Sequence, residues 1–130
     1  MGVYGVGTDL VEIARIARAI ARHGEAFAAR ILSRTELDDY RNRQNQAAFL
    51  AKRFAAKEAI ATALGTGIGA ELGLCDLTIG HTPSGRPRAE FSAKGRDTCR
   101  RLGVARVHLS LSDERRYANA FAVAEGSNDS

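Results

Sequence analysis

Arg53-Phe54-Ala55-Ala56-Lys57-Glu58-Ala59 sits inside the longer run Ala47 to Leu64, which is rich in Ala, Leu, Phe and Lys and contains no Gly or Pro. Such a composition predicts a helix, and Gly65 is placed to end it. At about 100° per residue, Phe49, Leu50, Phe54, Ile60, Ala61 and Leu64 form one apolar face. Arg53 and Lys57 fall within that face, and Glu58 lies at its margin. Charges on a buried stripe are costly unless they are paired or needed. Two readings stand side by side: the cations extend their stems over the core with their ends in water, or a site requires them there.

Working toward the N-terminus, Val11 to Arg22 reads as an amphipathic helix with Ile13, Ile16 and Ile20 on one side. Arg15, Arg18 and Arg22 cluster within about 60° on the other, with no acidic residue at the positions where ion pairs would neutralise them. The stripe is either a solvated face or a dock for an acidic helix. Before it, Val3 to Thr8 reads as a strand with glycines at 5 and 7, which mark close approach of another backbone or a ligand. Asp9 then either caps the following helix or holds a metal where strand meets helix. Phe27 to Leu32 predicts a short helix, Ser33 to Glu36 a helix start, and Arg41 to Gln46 a linker.

On the C-terminal side, Gly65-Thr66-Gly67-Ile68-Gly69 can present backbone N–H groups to a phosphate, though its spacing fits neither a Walker loop nor a dinucleotide fingerprint. Leu77 to His81 and Arg88 to Phe91 read as strands around the turn Pro83-Ser84-Gly85-Arg86-Pro87. Ala93 to Leu102 predicts a helix closed by Gly103. Val104 to Ser112 alternates as a half-buried strand with His108 and Ser110 on its polar face. Tyr117 to Ala124 predicts the last strand, and residues 126 to 130 a frayed tail.

The 130 residues suit one domain, at 1–125, with no repeat and no boundary. Hydrophobic residues at 45% and charged residues at 26% describe an ordinary soluble globular chain. No apolar run reaches the roughly 20 residues needed to span a bilayer, and no signal peptide is apparent. Cys75 and Cys99 are too few for a disulfide framework or a zinc site, so a cytoplasmic home is expected. A net charge of +4 favours an anionic partner. RNA is the poorer candidate, because aromatics are few and no stacking motif is present.

Two carboxylates (Asp9 and Glu58), two cations (Arg53 and Lys57), a glycine loop and the His108/Ser110 strand make a coherent set. Mg²⁺ takes one or two protein carboxylates and fills its remaining positions with water and phosphate oxygens, and Arg or Lys neutralise the rest of the phosphate charge. This suits a Mg²⁺–pyrophosphate site better than zinc. A Ser110/His108/Asp113 triad is disfavoured, since nothing resembles a nucleophile elbow.

The segments Gly5 to Arg15, Arg53 to Ala59, Gly65 to Ile68, Gly85 to Pro87 and His108 to Glu114 with Tyr117-Ala118 occur here in the order of one family. The chain resembles the holo-acyl-carrier-protein synthases, small bacterial 4′-phosphopantetheinyl transferases of fatty-acid biosynthesis. The resemblance implies an α+β fold, with a small antiparallel sheet packed against one long and several short helices. It implies transfer of phosphopantetheine from coenzyme A to a serine of apo acyl carrier protein, releasing adenosine 3′,5′-bisphosphate. Asp9 and Glu58 match the family's Mg²⁺ ligands and catalytic carboxylates, with Lys57 beside them as a catalytic cation. Arg53, His108 and Ser110 match nucleotide-phosphate positions; Gly65, Thr66, Gly67, Ile68, Gly85, Arg86 and Pro87 match pocket walls. Arg15 matches the family's contact to an acidic helix of the carrier protein, which would give the stripe of Arg15, Arg18 and Arg22 its purpose. The family forms homotrimers with sites between subunits; neither nucleic acid nor membrane is expected as a partner. The rival from another class is a non-catalytic basic module that binds acidic carrier proteins or RNA. One position departs from the pattern: the family continues Lys-Glu-Ala-x-x-Lys, and here the second lysine is Thr62. The lost ammonium is expected to cost several kcal/mol of transition-state stabilisation if nothing substitutes, predicting a slow enzyme or an altered variant in which Lys57 or a basic residue of another subunit covers part of the loss.

Overall fold

The computed structural model describes residues 2–127. Its elements run β1 (Val3–Glu12), α1 (Ile13–His23), α2 (Glu25–Ile31), α3 (Arg34–Arg41), α4 (Gln46–Leu64), a 3₁₀ turn (Leu74–Asp76), β2 (Leu77–His81), β3 (Pro87–Phe91), α5 (Ala93–Leu102), β4 (Val104–Asp113) and β5 (Tyr117–Gly126). An antiparallel sheet has the order β1-β5-β4, and β2-β3 form a separate hairpin. This is the expected α+β arrangement.

Helix α4 is the centre of the molecule. Of its 19 residues, 13 are buried, so it is enclosed on almost every side and not on a single stripe. It packs against β1, β5 and β4 on one side and against α1, α2 and α3 on others. Small residues make the sheet contact close. Ala118, Ala120, Ala122 and Ala124 of β5 are all fully buried, as are Ala51, Ala55 and Ala59 of α4. On β1 the approach is closer still: a Cβ on Gly5 would lie 2.1 Å from the Ala63 carbonyl oxygen, and one on Gly7 2.1 Å from that of Ala59. No side chain fits there, so the two strand glycines record the crossing of α4. Gly65 closes the helix in the left-handed conformation at φ 81°, as expected of a glycine past the last turn.

The strand expected to stop at Thr8 instead continues to Glu12, because pairing with β5 runs on through Glu12 opposite Tyr117. Asp9 is therefore inside a strand and caps nothing; Glu12 occupies the N-cap of α1. At the other end, Gly126 still belongs to β5, and the Ser127 N–H donates to the Gly103 carbonyl at 2.8 Å. The tail expected from 126 is thus ordered through Ser127, and its last three residues lie outside the described region. Among the described residues no helix is long and apolar enough to cross a membrane.

The core-facing and outward faces of the three-stranded sheet differ sharply. Outward, the register aligns Val6 with Val123 and His108, and Thr8 with Phe121 and Ser110. Val6, Leu10 and Phe121 are 54%, 62% and 46% exposed, an unusual outlay of apolar surface in a small domain.

Candidate active site

The β1–α4 crossing brings the two carboxylates together. Asp9 pairs with Ala120 across the sheet, and Ala120 is buried beneath α4, so Asp9 projects from the α4-facing side of an edge strand. Gly5 meets Ala63 and Gly7 meets Ala59 and Thr62; the next step along β1 reaches the preceding turn of α4, which carries Glu58. Both carboxylates are half-buried. Burial pushes Asp9 above the ordinary carboxylate range, with the Leu10 N–H opposing. Burial also raises Glu58, and the negative charge of Asp9 adds to it. Neither has an ion-pair partner among the described residues, in a chain where most other acidic side chains do. Two adjacent carboxylates, both raised by burial and one of them also by the other's charge, suit a divalent cation that brings further ligands with it. Among the described residues no group of three or more His, Cys, Asp or Glu side chains forms a closed metal site.

Asp9 also borders a cleft of about 400 Å³ whose walls include Arg15, Ile16, Ala19, Phe27 and Phe54. Its apolar floor lies between α1 and α4, with the arginine stripe at its edge. Arg15, Arg18 and Arg22 are all exposed. Arg18 lies 3.6 Å from Glu12, so one of the three does have an acidic neighbour, an exposed pair that contributes little.

Arg53 and Lys57 go elsewhere. Lys57 is fully buried; its Nζ donates to Glu36 Oε1 at 2.6 Å and to the Ile31 carbonyl at 2.7 Å. Burial lowers its ammonium's pKa, with Glu36 opposing. An enclosed ammonium already bonded at both ends cannot touch a substrate phosphate. The expectation of Lys57 as a catalytic cation is corrected: it is a structural ion-pair partner, and Glu36 is what the core needed it for. Water-directed stems are excluded for both cations. Arg53 is 5% exposed, stacks over Phe49 at 4.4 Å, and has Nε 3.4 Å from Glu36 Oε2. That approach lacks hydrogen-bond geometry, and Nε has no hydrogen-bond partner. Arg53 lines a second pocket with Thr35, Asp39, Arg43, Thr78 and His81, separate from the cleft at Asp9.

The remaining expected residues occupy three further places. The Gly65–Ile68 loop folds back on α4: the Gly65 N–H donates to the Thr62 carbonyl and the Gly67 N–H to that of Ala61. Two amides that the glycine pattern offered to a phosphate are thus spent on closing a helix C-terminus, which repels anions. Gly85 and Arg86 lie in the exposed β2–β3 turn, with Gly85 at φ 90°, and Pro87, half-buried, opens β3. His108 and Ser110 stand on the outward sheet face, where His108 Nε2 is 2.9 Å from Glu125 Oε1. Within one chain they do not meet Asp9. Sequence reading missed Glu36 as a core charge, and the Arg43/His81 surroundings of Arg53. The Ser33-x-x-Glu36 spacing disclosed only the capping box, which is indeed present.

A profile of the 4′-phosphopantetheinyl transferase superfamily matches residues 5–122, and the chain belongs to that superfamily. Within it, the relatives are holo-[acyl-carrier-protein] synthases, and the chain is an enzyme of that family. The Halorhodospira halophila synthase is 49% identical over 121 residues, covering 93% of this chain and 96% of that protein. The crystal structure of the Neisseria meningitidis synthase superposes with TM-score 0.91 at 42% identity, covering 95% and 98% of the two chains. That of the Helicobacter pylori synthase in complex with coenzyme A gives 0.81 at 30% identity, covering 92% and 99%.

Proposed function

We propose that this chain transfers 4′-phosphopantetheine from coenzyme A to a serine of apo acyl carrier protein in a Mg²⁺-dependent reaction, releasing adenosine 3′,5′-bisphosphate, in the cytoplasm and for fatty-acid biosynthesis. The observation that carries this reading is the juxtaposition of Asp9 and Glu58, both raised and neither neutralised by a cation of the described chain. These two carboxylates would hold Mg²⁺, which supplies charge neutralisation for a diphosphate and its transition state.

In the reaction, the serine oxygen forms a bond to the β-phosphorus of coenzyme A while the bond from that phosphorus to the bridging oxygen breaks. Negative charge develops on the leaving oxygen, so fixed positive groups aimed at it lower the barrier. Arg53, beside Arg43, would hold an adenosine phosphate in its pocket, and the Gly85–Pro87 and Gly65–Ile68 segments, which do not line that pocket, would wall the nucleotide elsewhere. The cleft beside Asp9 receives the carrier protein: an acidic helix with an apolar ridge matches the Arg15/Arg18/Arg22 stripe and the Phe27/Phe54 floor together.

A homotrimer would cover the outward sheet face. Val6, Leu10 and Phe121 are best covered by further copies of the same chain, giving a homotrimer in which His108 and Ser110 of one copy complete the nucleotide site of the next. Incubating the protein with apo acyl carrier protein, coenzyme A and Mg²⁺ and weighing the carrier by mass spectrometry tests the reading. Addition of one phosphopantetheine mass is expected, and an unmodified carrier contradicts it.

A further inference from the structure

The pocket around Arg53 contains a histidine that the reaction above does not use. His81 ends β2, is exposed, and lines the same wall as Arg43, Arg53, Asp39, Thr35 and Thr78, around a space of about 250 Å³. Two cations, Arg43 and Arg53, and two carboxylates, Glu36 and Asp39, line it, and both carboxylates are already committed. Glu36 is shared between Lys57 at 2.6 Å and Arg53 at 3.4 Å, and Asp39 is committed to Arg43 at 2.9 Å, with Arg53 a distant 4.0 Å away. The buried Nε of Arg53 remains without a hydrogen-bond partner. A nearly buried guanidinium with an unpartnered Nε, beside a second arginine, is poised for an anion.

We propose that His81 is the proton-linked member of this pocket: a phosphomonoester entering beside Arg43 and Arg53 draws a proton onto the imidazole and completes a three-cation cradle. The inference rests on the reading that this pocket holds a nucleotide phosphate, and adds which residue senses the ligand's charge.

The electrostatics of the empty pocket agree. Surrounding protein, then Arg53, Lys52 and Arg43, push His81 below the ordinary imidazole range, and Asp39 opposes them. The other neighbouring charges change little on ligand entry. Lys52 pairs with Asp113, and on β3, where Pro87 lies opposite His81, Arg88 pairs with Glu90; Arg86 stands in the exposed turn. A phosphomonoester carries between one and two negative charges near neutral pH. Adding it sets negative charge against these cations, so His81 gains affinity for a proton. The binding equilibrium then takes up protons and weakens as pH rises. Each unit by which the ligand raises the imidazole pKa makes binding up to about tenfold tighter at low pH than at high pH, beyond the ligand's own titration.

The test is isothermal titration calorimetry of adenosine 3′,5′-bisphosphate against the Mg²⁺-loaded protein. It is run in two buffers of different ionisation enthalpy at one pH, and compares the wild type with His81→Gln and His81→Lys. The side chain makes no hydrogen bond among the described residues, and its exposure lets both variants fold. The wild type is expected to take up more protons per ligand than His81→Gln, and His81→Lys to bind tightly with the shallow pH slope of the glutamine variant. Equal proton uptake and equal pH slopes in wild type and His81→Gln overturn the inference while leaving the nucleotide pocket standing. Failure of the wild type to bind the bisphosphate at all overturns both.

Discussion

Lys57 Nζ and Glu36 Oε1 meet at 2.6 Å with 0% and 2% of their side chains exposed, joining α4 to the start of α3 in the protein interior. The same carboxylate accepts from the Ser33 N–H at 2.9 Å and the Ile79 N–H at 2.9 Å, and its partner lysine holds the Ile31 carbonyl. One acidic residue therefore ties together α2, α3, α4 and β2. Removing one member of a buried pair strands the other's charge, which costs about 3–5 kcal/mol. Glu36→Gln is expected to lose that much stability in urea unfolding, and the double variant Glu36→Gln/Lys57→Met to recover part of it. A single variant as stable as the wild type contradicts the assignment.

Gly7→Ala puts a methyl group 2.1 Å from the Ala59 carbonyl oxygen, where the neighbour is backbone of the central helix and cannot swing aside. Overpacking costs about 1–3 kcal/mol and more where nothing yields. Because β1 carries Asp9 and α4 carries Glu58, pushing the two apart should abolish Mg²⁺-dependent activity as well as lower the melting temperature. Assaying turnover below the variant's own melting temperature separates the two effects. Full activity there removes the crossing from the account of the site.

Thr62 is exposed on α4, one turn past Glu58 and against the β1 glycine. Its place on the site side of the helix leaves room for a longer cation. Thr62→Lys is expected to raise kcat by about tenfold or more, read in steady-state transfer to the carrier protein. A rate equal to or below that of the wild type means that another positive group already serves.

Arg15 borders the apolar cleft at Asp9 and has no ion-pair partner among the described residues. Arg15→Glu should raise KM for acyl carrier protein much more than KM for coenzyme A, and the effect should shrink as ionic strength rises. Equal effects on the two constants remove the docking role.

The sequence disclosed most of the fold because its signals were local and agreed with one another. The Gly65 and Gly103 stops, the Ser33-x-x-Glu36 box and the alternation of Val107, Leu109 and Leu111 each specify an element without help from a distant residue. Helix α4 was legible as a helix, but its burial on nearly all sides was not, because alanines do not reveal which face they serve. Misjudged features were set by long-range pairing. Asp9 stays in a strand because β5 runs opposite it, and Lys57 is inside because Glu36, 21 residues earlier, accepts it. The Asp9–Glu58 convergence was proposed from residue type and family likeness; its cause, two glycines admitting a helix, emerges only from the packing.

The central claim is that Asp9 and Glu58 form a divalent-cation site, and thermal unfolding against pH and Mg²⁺ tests it most directly. Both carboxyl groups have folded pKa values raised above their unfolded ones. Their stability contribution is therefore present below the unfolded carboxylate range and lost as pH rises through the folded values. At neutral pH the ionised pair burdens the fold, and either Glu58→Gln or bound Mg²⁺ relieves it. The account predicts that Mg²⁺ raises Tm of the wild type at neutral pH, with a smaller gain under mildly acidic conditions. It also predicts that Asp9→Asn and Glu58→Gln melt higher than the wild type without metal, yet neither respond to Mg²⁺ nor transfer phosphopantetheine. A wild-type Tm indifferent to Mg²⁺, with coenzyme A both present and absent, or a Glu58→Gln variant that retains full Mg²⁺-dependent transfer, would contradict it.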